Sequence, residues 1–432
     1  MKTILSFSAG VAPPTGNLGP TVKLVMAVAV VVAWLGAGCS TPRQDAVPSN
    51  VAAAYPAVDL NNCGEYRPLP PEFFRKLMDG SSTTESRLTR ASESRLQVLA
   101  LSGGGKFGAY SAGVLNGWTR SGQRPTFDVV TGVSTGALVA TYALLGPRYD
   151  DRARVLYTTL TTRDVIRRRP AYGMLGGESA YSSDPLASLI DQEVTDQLLA
   201  EVRCAHAGGR RLFVATTNLD TSRPVVWDMG AIAASQRPDR REHFRDVLLA
   251  SASVPGAMPP VRIPVTFNGC RYVELHGDGG ATQELFLRGT MLGIDPATVS
   301  PGRRPLTGSD LYIIVAGKLY ADPQVVEPKT LKLGGAAAAS VLFAQTRNDL
   351  SRLYTLSAVS GMRFHMVALP ADFPVSGNSL EFDPAEMCRL FQAGYRDGLR
   401  QAWRSTPPET EPAEQVIPRK GTDFYTPVVP QP

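Results

Sequence analysis

Histidine and cysteine are scarce in this chain, four and five among 432 residues. His206, His243, His276 and His365 carry no motif, and the scattered cysteines fit no zinc site. Charge of one sign is also missing: 44 Lys and Arg against 39 Asp and Glu leave a net +5. No basic run alternates with aromatics, which argues against a nucleic-acid partner. The densest basic cluster, Arg163, Arg167, Arg168 and Arg169, reads as a solvated face, though it would suit anionic headgroups. Long apolar runs are absent except over residues 24–35, too short to span a bilayer comfortably. What is present is a 43% apolar content, enough for a globular core.

The N-terminus reads as an address. Lys23 precedes the apolar run, and Leu35-Gly-Ala-Gly leads into Cys39. That ending resembles a bacterial lipobox, with Leu35 one place further upstream than usual. The resemblance implies a lipoprotein signal peptide over residues 1–38 and a lipid anchor on Cys39. The long stretch before the run, residues 1–20, is consistent with a start codon set too far upstream. An ordinary secretory signal or a stop-transfer anchor is the alternative. Ser40 is no acidic retention signal, so the expected location is the cell envelope, at the outer membrane. In that oxidising setting Cys63, Cys204, Cys270 and Cys388 could form two disulfides of open pairing. Residues 39–69 read as a tether, 70–405 as one globular domain without repeat or linker, and 406–432 as a Pro-rich tail.

Strands and helices alternate through the domain. The run from Leu96, "LQVLALSG", is a buried strand stopped by glycines, and residues 107–120 form a helix closed by Gly122. "FDVVTGVS" is a second strand, feeding a helix over residues 135–145 that Gly146-Pro147 ends. "RRLFVATTNLD" is a third, with "VVWDMG" its partner. "RYVELHGDGG" enters a glycine turn, and "SDLYIIVAG" is again a buried strand. Helices are expected over "HFRDVLLASAS" and "GGAAAASVLFAQTRNDLSRLYTL". The last one opens with Asp383 as cap, Pro384 at its first turn and Glu386 as a capping-box acid. The alternation implies an α/β sandwich with a largely parallel sheet.

The chemistry concentrates in two glycine-rich turns. Gly132, Ser134 and Gly136 form G-x-S-x-G directly between strand and helix, the setting of a nucleophile elbow. Gly103, Gly104 and Gly105 end the preceding strand, so both turns can share one sheet edge and aim N–H groups at an oxyanion. Gly103, Gly105 and Gly108 also keep dinucleotide-loop spacing. The acid needed about twenty residues on is missing, however, and no Gly-Lys-Ser/Thr follows for a Walker loop. Since no histidine stands in a motif, the candidate base is Asp278, ending a strand against Gly279 and Gly280. Partly desolvated and bonded to the serine, a carboxylate can serve in a Ser–Asp dyad.

"GGGKFG", "GVSTG" and "DGG", with "ASASVPGAMPPV" between the last two, resemble the patatin-like phospholipases in order and spacing, best over residues 96–280. The family places Lys or Arg fifth in its glycine motif; here Phe107 stands there and Lys106 precedes it. The resemblance implies a patatin-like three-layer α/β/α sandwich with a mostly parallel central sheet. It also implies Ser134 as nucleophile, Asp278 as base and 103–105 as oxyanion loop, with Gly108, Gly132, Gly136, Gly279 and Gly280 as motif support. The expected activity is phospholipase A-type hydrolysis of a phospholipid or other lipid ester, needing no cofactor or metal. The chain would meet the membrane through its lipid anchor. Two alternatives are a Ser–His–acid esterase with His365 as base, and a non-catalytic lipoprotein that binds lipid or a partner protein.

Overall fold

The computed structural model describes residues 43–48, 95–169, 178–267, 270–293 and 304–407. The signal peptide, Cys39, nearly all of the tether, Cys63 and all but the first two residues of the tail lie outside the described residues. Met1–Ala46 is a unit of its own, of which a turn holding Arg43 against Asp45 (3.0 Å) is described. The second unit, Val47–Pro432, carries everything below.

In chain order its elements are β1 (Gln97–Leu101), α1 (Gly108–Arg120), β2 (Val129–Val133), α2 (Thr135–Leu145), α3 (Asp150–Thr159), α4 (Thr162–Val165), β3 (Arg167–Arg168), β4 (Tyr181–Ser182), α5 (Asp184–Glu193) and α6 (Asp196–Ala207). There follow β5 (Arg211–Asn218), β6 (Arg223–Asp228), α7 (Met229–Ala234), α8 (Arg240–Ser251), β7 (Val261–Phe267), β8 (Cys270–Asp278), β9 (Asp310–Val315), α9 (Thr330–Ser360), β10 (Arg363–Ala368) and α10 (Pro384–Arg400). Helix α2 spans the expected residues; Gly146, at φ 93°, and Pro147 stop it.

The main sheet has eight strands in the order β10-β9-β1-β2-β5-β8-β7, with β6 paired to β5. The run β10 to β5 is parallel throughout, and β6 and β8 lie antiparallel to β5. The sequence pattern passes over β7, because Pro264 interrupts it. As the edge strand of a hairpin with β8, it has room for a residue that cannot donate to a ladder.

Alternate residues of each strand enter opposite cores. Leu99, Leu101, Val130, Leu212 and Val214 pack under α1, α2, α8 and α10. Val98, Ala100, Val129, Phe213 and Ile313 face the other layer, with Leu350 and Leu353 of α9 and Leu285–Leu287. Helices on both faces of a mostly parallel sheet make the three-layer α/β/α sandwich expected from the sequence.

On the first face α1 and α10 lie backbone to backbone. A Cβ on Gly113 or Gly117 would strike the carbonyl of Phe391 or Tyr395. Asp383 caps α10 by accepting the Glu386 N–H at 3.0 Å, and Pro384 opens it as expected. The role expected of the Glu386 side chain is corrected. Its carboxylate accepts from Lys106 Nζ (2.7 Å) and from the Ser376 N–H (2.7 Å), because the close helix packing brings it against the glycine loop. The two-disulfide expectation is corrected too. Cys204, Cys270 and Cys388 are exposed thiols on α6, β8 and α10, unbridged to one another, and two bridges among four cysteines would need such a pair.

Candidate functional site

The site is built where two strands of opposite direction meet end to end. On β5, β6 pairs with residues 213–218, β2 with 211–215 and β8 with 216–218. A strand has two edges, so β2 and β8 must share the one that β6 leaves free. Val133 aligns with Ala215, and Asp278 with the next residue, Thr216. The residue leaving β2 and the last residue of β8 are therefore brought together. These are Ser134 and Asp278.

Ser134 is held in a backbone conformation that L-residues rarely adopt, φ 53° and ψ −127°. Its flanking glycines are required by close approach. A Cβ on Gly132 would strike the Gly136 carbonyl, and one on Gly136 the Ser102 carbonyl. The Ser134 N–H donates to Ser251 Oγ (2.9 Å), whose hydroxyl donates to the Ala215 carbonyl (2.7 Å), tying the elbow to β5. Ser251 lies within the "ASASVPG" segment, whose sequence carries no sign of that role.

Asp278 is buried, and no cation pairs with it among the described residues. Its Oδ1 accepts the Gly280 N–H at 2.7 Å. Burial pushes its pKa up to about 6; hydrogen bonds from the Ser134 hydroxyl and the Gly280 N–H pull the other way. The serine proton thus faces a carboxylate of raised basicity.

A second acid completes the site, and sequence reasoning missed it. Glu284 inserts its carboxylate between the two glycine turns. A Cβ on Gly103 would lie 2.6 Å from Glu284 Oε2, and one on Gly280 2.6 Å from Oε1. Burial, then the negative charges of Asp278 and Asp349, push its pKa up to about 8, against a lowering by the Gly103 N–H. Its own N–H donates to Asp349 Oδ2 (2.8 Å), and Asp349 carries Arg352 at 3.1 Å. Glu284 stands six residues after Asp278 in no recognisable motif, so no signal marked it.

The glycine loop is fixed from outside. Lys106 is fully buried and bonds Glu386 and Ser376 Oγ (2.6 Å), while its N–H donates to the Ser379 carbonyl (2.9 Å). The Gly103 N–H faces Glu284, which leaves those of Gly104 and Gly105 as the loop's candidate oxyanion donors.

Ser134, Asp278, Glu284, Gly104, Gly105 and Gly280 line one cavity of about 510 Å³. Its walls are mostly apolar, with Leu138, Leu156, Leu186, Met258, Val341 and Leu342 among them. None of the four histidines lines it. His365 sits on β10, 2.8 Å from Asp310 and stacked on Tyr312, and His276 on β8 bonds Thr216 and Glu274. Among the described residues no cluster of His, Cys, Asp or Glu is arranged to hold a metal ion.

Comparison with known proteins gives one family. Residues 99–289 match the model of the patatin-like phospholipases. An uncharacterized protein of Acanthamoeba polyphaga mimivirus is 24% identical over 198 residues, 45% of this chain and 61% of its own length. The chain thus spans about three-fifths of that relative. Among solved structures, VipD from Legionella pneumophila is similar over 72% of this chain and 67% of its own, at 12% identity and a TM-score of 0.32. The SpcU–ExoU complex from the type III secretion system of Pseudomonas aeruginosa contains a chain similar over 72% of this one and 53% of its own, at 13% identity and 0.30.

Proposed function

We propose that this chain is a lipid acyl hydrolase that cleaves the ester of a phospholipid or related lipid through Ser134 and Asp278. One observation carries the reading. A serine on a strained elbow faces a buried carboxylate that pairs with no cation among the described residues, and both line an apolar cavity. The family match over residues 99–289 supports the substrate class.

In this mechanism Ser134 Oγ attacks the ester carbonyl and Asp278 takes its proton. A base whose pKa lies near the working pH is both ionised and usefully basic, and a value of about 6 meets that requirement. Negative charge on the former carbonyl oxygen is met by the N–H groups of Gly104 and Gly105 and by the open N-terminus of α2. The departing alcohol, a lysophospholipid for a phospholipid substrate, recovers the proton. Water, deprotonated in turn by Asp278, then releases the fatty acid from the acyl-enzyme. No cofactor takes part in this scheme. The apolar cavity walls suit an acyl chain.

The experiment is mass-spectrometric measurement of fatty acids released from envelope lipids. Ser134→Ala should lower release on the order of a million-fold, as loss of a covalent nucleophile does. Undiminished release by a folded Ser134→Ala variant would overturn the reading. The location is part of the same proposal. The signal-like N-terminus supports envelope attachment through a lipid on Cys39, and Cys39→Ser should move the chain out of the membrane fraction.

A further inference from the structure

Helix α9 changes character along its length. Beyond Asp349 it packs on the sheet through Leu350 and Leu353. Residues 332–342 instead stand out from the fold, nearly all of them exposed, with Leu333 at 52% and Val341 at 63%. Between Lys332 and Arg347 the sequence "LGGAAAASVLFAQT" carries no charge. Residues 321–329, which lead into the helix, are exposed as well except for half-buried Val326, and hold Val325 wholly in solvent.

A helix that is apolar all round is normally buried. One face of this one is explained, since Ala338, Val341, Leu342 and Gln345, at helical spacing, line the cavity that holds Ser134. The opposite face, with Leu333 and Ser340, is open to solvent. Among the described residues no helix is long and apolar enough to cross a membrane, so an arm of this kind would lie in an interface rather than span it.

We propose that residues 321–342 form a docking arm that seats the mouth of the cavity on a phospholipid surface. The occupant follows from continuity: the helix whose outer face is open supplies the cavity wall with its inner face, so a lipid leaving the surface along it arrives at Ser134. The arm is also tied to the reacting groups. Gln345 Nε2 donates to the Gly280 carbonyl (3.0 Å), and Asp349 holds the N–H groups of Glu284 and Leu285. The proposal rests on the acyl-hydrolase reading for the identity of the surface.

The test uses the full chain and separates docking from turnover. In the Ser134→Ala variant, hydrogen exchange is followed with and without vesicles of phosphatidylcholine and phosphatidylglycerol. Exchange over residues 332–342 should slow when vesicles are added, while α5 stays unchanged. In the otherwise native chain, Val325→Glu with Leu333→Glu should lower vesicle hydrolysis about tenfold, the scale set by burying one or two aliphatic side chains. Hydrolysis of a soluble short-chain ester should not change. The proposal is overturned if exchange is unmoved by vesicles, or if it slows with protein concentration alone, which would assign the face to a second copy. Equal losses on both substrates also overturn it. If the native chain cleaves neither substrate, the hydrolase reading fails, and the exchange measurement still decides the docking.

Discussion

Two pairs of buried charged groups flank the glycine loop, and they behave in opposite ways. Lys106 and Glu386 set a cation on an anion at 2.7 Å, and Ser376 bonds both, its Oγ accepting from Lys106 and its N–H donating to Glu386. Asp278 and Glu284 set two acids near each other, no cation pairs with either among the described residues, and Arg352 is bonded to Asp349 beside Glu284. Burial penalises charge in both places. In the first it is offset by Coulomb attraction, so the pair stays fixed and anchors the loop. In the second it is not, so both carboxyl pKa values climb towards neutrality, about 6 and about 8. Similar burial thus yields a structural tie on one side of the loop and titratable chemistry on the other.

The comparison breaks hardest at Asp278. Asp278→Asn keeps the shape and removes the proposed base, and should lower ester hydrolysis roughly a hundred- to ten-thousand-fold, read as kcat on a soluble ester. His365→Ala should leave that rate nearly unchanged, since its ring is engaged with Asp310 and Tyr312 away from the cavity.

The ion pair gives the next effect. Lys106→Met strands Glu386 as a buried charge and should cost about 3–5 kcal/mol of stability in denaturant unfolding. Adding Glu386→Leu should recover much of that loss, because the two charges then leave together. A double variant no more stable than Lys106→Met would show that the pair holds the loop by something other than charge.

Glu284 gives the smallest effect and the sharpest contrast. Hydrolysis should rise with pH through about 6 as Asp278 ionises. It should fall through about 8 as Glu284 ionises, which sets a second negative charge beside the developing oxyanion. Glu284→Gln should keep the acid limb and lose the alkaline one. Stability carries the same sign. The folded chain holds this proton from pH 4.5, the ordinary value, up to about 8, so the stabilisation is complete below 4.5 and lost as pH rises through 8. The fall in melting temperature over that window should be shallower in Glu284→Gln.

The elbow was legible in the sequence because its determinants are local. Strand, turn and helix follow one another within a few residues around Ser134, and the glycines that permit the close approach are its near neighbours. The Asp278 turn was legible for the same reason. Glu386 was not, because its partner Lys106 lies 280 residues away and its spacing from Asp383 suits a capping box equally well. Glu284 belongs to an irregular stretch between β8 and β9, where no periodicity singles out a side chain. Strand β7 hid behind Pro264, whose tolerance depends on an edge position that only the assembled sheet defines.

The most direct measurement is covalent labelling by a fluorophosphonate probe, located by mass spectrometry of the digested chain. The Ser–Asp reading expects one adduct, on Ser134, with labelling strongly slowed in Asp278→Asn and unaffected in His365→Ala. An adduct on another serine, or labelling of Ser134 that depends on His365 and not on Asp278, would contradict it.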